Sequence, residues 1–182
     1  LMKWPTRVEL WGPNFAAVKD DYATVAKAIA AFEPVVMACN PGDKADVANH
    51  CGSDVSIIEI PINDSWARDS GPICVANEHG EVAFVSFGFN AWGNRYDPYD
   101  DDAAFAGRLA DMLGVPYFRA PFVLEGGSFF VDGEGTILVT EQCLLNPNRN
   151  PNLTKDETTM LIHYGTEKTQ QWILVRIPEP KP

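Results

Sequence analysis

Residues 55–73 read VSIIEIPINDSWARDSGPI. The apolar run at 55–60 has the character of a strand, and a second apolar run, PICVAN, resumes at 72. Between them Asp64, Trp66, Arg68 and Asp69 fall within six positions. A turn needs only Asn, Asp, Gly or Pro, and Asn63 with Asp64 already supplies that chemistry. An indole, a guanidinium and a further carboxylate exceed what a turn requires. A strand that stops in a polar loop loaded with such groups is the unit from which the rest of the chain is read.

The same pattern recurs outward in both directions. LMKWP reads as an opening strand. Asn14 is placed to cap a helix in which Phe15, Val18, Tyr22, Val25 and Ile29 recur at spacings of three and four, ending before Pro34. VVMAC follows as a buried strand, then a polar helix near 43–50, then VSIIEI. PICVAN and VAFVSFGF form two strands joined by a hairpin-like turn at 78–80. A loop at 90–101 (NAWGNRYDPYDD) precedes a helix from about 102 to 113, closed by Gly114. PYFRA leads to VLEGGSFFV, a turn at 132–135 and the strand TILVT. LLNPNRNPN is a loop, Thr154 and Glu157 make a capping box for a helix to about 164, and QQWILVRI is a last strand. Strands and a helix recur in units of fifty to sixty residues without sequence repetition. They form a single α/β domain over 1–182 in which each unit places a polar loop after a strand, where sites are usually carried. The strands at 35–39, 55–60, 81–87 and 136–140 are expected to be mostly buried.

A chain of 182 residues, 46% hydrophobic and 11% aromatic, can bury a real core. Twenty-five acids against fourteen Lys and Arg give a formal charge of −11. That field disfavours nucleic acid and anionic membrane as partners and favours a small cationic ligand. No stretch is apolar and long enough to span a membrane, and the opening residues do not read as a signal peptide. Cys39, Cys51, Cys74 and Cys143 are scattered without zinc-finger spacing, which predicts reduced, mostly buried thiols of a cytoplasmic protein and no metal site. Neither His50, His79 nor His163 has a sequence neighbour that would make it a base or a ligand.

Two carboxylates stand out. Asp69, three positions after Trp66 and directly after Arg68, suits a flat, delocalised cation, because a carboxylate accepts two parallel guanidinium N–H bonds while an indole covers an apolar stem. The alternative is an Asp with a turn duty and a Trp in the core. Glu125, in Leu-Glu-Gly-Gly-Ser, ends an apolar run before two glycines. These permit either close backbone approach or an ordinary bulge. The loop at 146–151, with Asn146, Asn148, Arg149 and Asn150, reads as a polar lid or as a solvated turn.

PINDSWARDSGPI, FNAWGNRYDPYDDDAA, LEGGSFFVDGEGT and TEQCLLNPNRNP, in this order and spacing, together resemble the agmatine deiminases of the Porphyromonas-type peptidylarginine deiminase family. LMKWPTRVELWG fits the same family's first strand, and the resemblance reaches to about Ile173. It implies a pseudo-fivefold α/β propeller of ββαβ-type modules, incomplete here with about three of five modules. It also implies hydrolysis of agmatine to N-carbamoylputrescine and ammonia, in putrescine biosynthesis, without metal or organic cofactor. In such chemistry a Cys thiolate attacks the guanidinium carbon, a His protonates the departing ammonia, and the amidino-cysteine is hydrolysed. Carried over by resemblance, Asp69 is the first guanidinium-binding acid and Trp66 its aromatic neighbour. Glu125 contacts the guanidinium or orients the His, and Asn63, Arg68 and Arg149 match positions of the substrate-binding motifs. The family's His, its second acid and its Cys are expected downstream of Pro182, and Cys143 matches a position that is not the nucleophile. Because the chain opens inside a strand, it is expected to be truncated at both ends, with bare module edges that invite a homo-oligomer. Two other readings stand beside the first: a non-catalytic guanidinium-binding remnant, and a deiminase of free or peptidyl arginine, for whose carboxylate Arg149 is the cation at hand.

Overall fold

The structure, a computed structural model, describes residues 1–77, 79–131, 136–157 and the backbone of 171–175. It contains three three-stranded sheets linked by helices. In the first, β1 (Met2–Lys3) leads through α1 (Val8–Trp11) and α2 (Phe15–Ala30) to β2 (Val35–Cys39), then through α3 (Lys44–Cys51) to β3 (Val55–Glu59). All its pairings are parallel, in the order β1-β2-β3. The second follows α4 (Ala67–Ser70). Its β4 (Ile73–Ala76) pairs antiparallel with β5 (Val82–Gly88), and then α5 (Ala91–Asn94) and α6 (Asp100–Leu113) cross to β6 (Tyr117–Val123), parallel to β5. The third comes after a 3₁₀ turn at Gly126–Ser128 and repeats that topology. Its β7 (Phe129–Val131) is antiparallel to β8 (Thr136–Thr140), which is followed by α7 (Glu141–Leu144) and by β9 (Gln171–Val175), parallel to β8.

The three sheets share one plan, a parallel strand pair with a third strand beside the first member. In the first sheet that third strand runs parallel, because the sixteen-residue α2 returns the chain to the starting end before β2 begins. The recurrence predicted from strand-and-loop units is therefore present as topology.

Periodic apolar faces build the core. Ala23 and Ala26 of α2, with Val47 and Cys51 of α3, close over Trp4, Val35, Met37, Cys39 and Val55. Phe105, Leu109 and Ala110 of α6 bridge the first two sheets through Ala38, Ile60, Ile62 and Phe84. Phe122, Leu124, Phe129, Val139 and Leu144 form the third cluster. Gly114, with φ +64°, ends α6 in the left-handed conformation expected of a C-cap. Asn14 precedes α2 as expected, but its side chain makes no capping bond.

Burial corrects two expectations. β2 is buried, whereas β3, β5 and β8 are buried at only some positions: Val55, Phe84, Ser86 and Val139 are inside, while Val82 and Leu138 are exposed. Small sheets packed on one face leave alternate side chains uncovered among the described residues. For the same reason the thiols divide: Cys39 and Cys51 are buried, Cys143 is half-buried, and Cys74 is exposed. The turn at 132–135, His163 and the helix beyond Glu157 lie outside the described residues. Its capping box is present, Thr154 N–H donating to Glu157 at 2.9 Å and Glu157 N–H to the Thr154 hydroxyl at 3.3 Å. Within the described residues no helix is long and apolar enough to cross a membrane, and no group of three His, Cys, Asp or Glu is placed to hold a metal.

Candidate active site

The loop that opened the sequence reading folds as a single helical turn, α4, with Trp66 at its N-cap. Ser70 N–H and the Ser70 hydroxyl both bond the Trp66 carbonyl, at 3.1 and 2.7 Å, so the turn is closed from its own backbone and one side chain. This fixes Asp69 half-buried and Arg68 exposed.

Gly126 and Gly127 meet that turn from the third module. A Cβ on Gly126 would overlap the Arg68 carbonyl oxygen, and one on Gly127 would lie 2.7 Å from Asp69 Oδ1. Of the two uses left open for these glycines, close approach is the one realised, and what approaches is the chain's own Arg68 backbone at Gly126 and the Asp69 carboxylate at Gly127. Asp69 accepts the Gly127 N–H and is faced by the Trp92 indole N–H. Burial pushes its carboxyl above the usual carboxylate range, and the charge of Glu125 adds to that, while these N–H groups and Arg68 oppose it. Glu125, 56 positions from Asp69 in sequence, thus lies near enough for its charge to act on Asp69.

Glu125 is 2% exposed, and its Oε1 accepts Arg149 Nε at 2.6 Å. Arg149 is itself largely buried, and its Nη1 donates to Asn148 Oδ1 at 2.8 Å. The loop at 146–151 is solvated at Pro147, Asn148 and Pro151 and anchored at Asn150. Buried Asn150 pins it, donating to the carbonyls of Val123 and Leu144 and accepting the Val123 N–H, each at 2.8 Å.

An aromatic wall runs along the site. Trp66 stacks on Trp11 (5.9 Å between ring centroids, 26° between planes) and meets Trp92 edge-on at 5.0 Å. Trp92 continues to Phe89 and Tyr96. Trp66 Nε1 is buried with no partner, and a cleft of about 280 Å³ opens beside Trp66, Arg68 and Asp69.

Behind the site lies a buried polar network. Lys3 Nζ donates to Asp102 Oδ1 at 2.9 Å and to the Ser70 hydroxyl, and sits 4.0 Å over the Phe105 ring. Lys3, Asp102 and Asp64 are each fully buried. Burial lowers the Lys3 pKa, and the Asp102 carboxylate counters this. Asn63 belongs to this network: its Oδ1 accepts the Asp102 N–H at 2.9 Å and its own N–H donates to Asp102 at 3.2 Å. The geometry therefore gives Asn63 a scaffolding contact with α6. Lys3, Trp92 and Asp102 were not singled out from the sequence. The available signal was a lysine inside an apolar strand and a third aspartate at a helix start.

The Porphyromonas-type peptidyl-arginine deiminase family matches residues 1–174. A Legionella pneumophila (strain Paris) protein, provisionally named agmatine deiminase, is 47% identical over 171 residues, which is 92% of this chain and 49% of that protein. A similarly named protein of Vibrio parahaemolyticus is 42% identical over 175 residues, covering 92% of this chain and 48% of its own length. Among solved structures, an agmatine deiminase of Enterococcus faecalis, described as catalysing its reaction, superposes with a TM-score of 0.89 at 35% identity, over 96% of this chain and 49% of that one. The chain spans about half the length of the curated relatives it matches. With nearly its whole length matched in order, the chain belongs to the Porphyromonas-type peptidyl-arginine deiminase family.

Proposed function

We propose that this chain supplies the guanidinium-gripping half of an agmatine deiminase, an enzyme that hydrolyses agmatine to N-carbamoylputrescine and ammonia. The observation that carries the reading is the meeting of Asp69 and Glu125 beside the Trp66–Trp92 wall, where glycine at 126 lets the two segments touch and Gly127 lies against the Asp69 carboxylate. Asp69, whose only basic neighbour in sequence is the exposed Arg68, is the acid that takes the substrate's charge. Trp66 covers the apolar stem with its ring face, and its unpartnered Nε1 is a donor inside the wall. Glu125, already paired with Arg149, offers its remaining acceptor capacity to the guanidinium or to an acid–base His. The thiolate and the His come from the part of the relatives that this chain does not match. The three sheets are three blades of a five-bladed α/β propeller, which places α4 and the Gly126–Ser128 turn at its centre. The formal charge of −11 attracts a dication such as agmatine.

Arginine as substrate is the weaker reading, since Arg149 would have to hold a carboxylate while its Nε and Nη1 are engaged by Glu125 and Asn148. The test is to assay the family-length protein carrying residues 1–182 for ammonia release from agmatine, arginine and a peptidyl arginine. Turnover of agmatine with little from the other two supports the proposal. Preference for arginine or the peptide sinks it.

A further inference from the structure

Four successive residues, Ala91, Trp92, Gly93 and Asn94, have φ of +50°, +55°, +86° and +59°. Three of them are not glycine, and an L residue held in this region costs energy that surrounding contacts must supply. Those contacts come from the loop at 146–151. Asn90 caps the turn, its Oδ1 accepting Gly93 N–H at 2.9 Å, and its Nδ2 donates to the Asn148 carbonyl at 2.8 Å. A Cβ on Gly93 would lie 2.5 Å from Asn148 Nδ2 and 3.0 Å from Arg149 Nη1, so turn and loop are packed without room for a side chain. On its other side the same loop holds Glu125 through Arg149. One short segment therefore holds both sides of the residue pair: Glu125 directly, and Asp69 through the turn, gripped at Asn90 and Gly93, that presents Trp92 to it.

We propose that Asn148 and Arg149 act as a clamp that sets the separation and orientation of the two site acids, and that Arg149 is a positioning residue, not a substrate ligand. The guanidinium fork matters more than its charge, because Arg149 reaches Glu125 with Nε and Asn148 with Nη1 at once. This inference rests on the reading of Asp69 and Glu125 as the guanidinium grip.

The experiment compares Asn148→Ala, Arg149→Lys and Asp69→Asn in the family-length protein, by steady-state kinetics on agmatine and by thermal melting. Asn148 is exposed, so its variant is expected to melt within about 3 °C of the parent. Asn148→Ala keeps the carbonyl that Asn90 reaches but removes the Oδ1 that fixes Arg149 Nη1. That loss should raise KM for agmatine about ten-fold with a smaller change in kcat, as fits groups that hold substrate in ground and transition state alike. Arg149→Lys keeps a cation beside Glu125 but cannot span both partners, and should behave like Asn148→Ala. If Arg149→Lys retains the parent KM, charge alone suffices and the clamp is overturned. If Asn148→Ala is unchanged while Asp69→Asn collapses, the clamp falls and the site reading stands. Parent kinetics in Asp69→Asn as well would remove the site reading itself.

Discussion

In the proposed grip Asp69 has to be ionised to hold a guanidinium, yet burial and the neighbouring Glu125 both work against ionisation. Its folded pKa lies above its unfolded one, so the folded state binds this proton more tightly. Its ionisation therefore subtracts stability as pH rises from the ordinary carboxylate range through the raised value, and no penalty remains below that range. Asp69→Asn removes the penalty and the ligand together. The variant should melt no lower than the parent at pH 8, with any advantage vanishing at strongly acid pH, while agmatine binding weakens by about 2–5 kcal/mol, the effect of losing one partner of a buried charge pair. Titration calorimetry beside melting curves at both pH values decides this, and unchanged affinity contradicts the assignment. Binding to the parent should itself strengthen as pH rises through the Asp69 value. Gly126 makes a complementary case. Its Cβ would collide with the backbone oxygen of Arg68, which cannot rotate away. Gly126→Ala should cost about 1–3 kcal/mol or more by overpacking and displace the Asp69 turn, whereas Gly107→Ala, which meets only ordinary contacts with Tyr117, should not. Equal stability of the two variants in urea would contradict this.

At the scale of elements, the site turn α4 has too few residues to hold itself, and what holds it is a charge pair between β1 and α6. Lys3 and Asp102 are both fully buried, 99 positions apart, and Lys3 also bonds Ser70 in α4. Removing one partner leaves the other charge uncompensated. Lys3→Met should lower stability by about 3–5 kcal/mol, read as a fall in the urea midpoint, and a midpoint within error of the parent would show that the pair holds nothing. The sequence foretold the parts of this assembly unevenly, for a physical reason. α2 and α6 were legible because apolar residues recur at helical spacing, and Gly114 and the Thr154–Glu157 box because their chemistry is local. The short turns α4, α5 and α7 were not. Trp92 at φ +55° contradicts its own local preference, and the turn that carries it is held through Asn90 by the Asn148 carbonyl, 58 positions later. Asp69 and Glu125 stood out from their flanking residues, and the family motifs gave them roles. Spacing alone left a turn duty for Asp69 and a bulge after Glu125 as alternatives, because the glycines that join them show their purpose only against Arg68 and Asp69.

For the whole molecule, three sheets of one plan follow one another, and two carry exposed apolar side chains, Tyr117 and Phe118 on the second, Phe130 and Leu138 on the third. In the proposed propeller these are surfaces where further elements of the family-length protein pack, and the same division separates grip from chemistry. Covalent hydrolysis of a guanidine needs a thiolate within reach of an acid–base group. Burial pushes the Cys39 thiol up to about 11 and raises that of Cys51, so neither is a ready nucleophile. Cys74 is exposed on β4, and Cys143 lies half-buried in α7. His50 is engaged by Asp46 and the Trp4 ring, on the helical side of the first sheet. Groups that act as a unit lose nearly all their effect when one is removed, so the proposed grip, taken apart from the thiolate and His of the family-length protein, leaves little rate. Residues 1–182 alone should accordingly bind agmatine weakly and release neither ammonia nor N-carbamoylputrescine, while the family-length protein does both. The measurement is product release by each at equal concentration, before and after thiol alkylation. Turnover by the 182-residue chain that alkylation abolishes would make Cys74 or Cys143 the nucleophile and place the whole reaction within these three sheets.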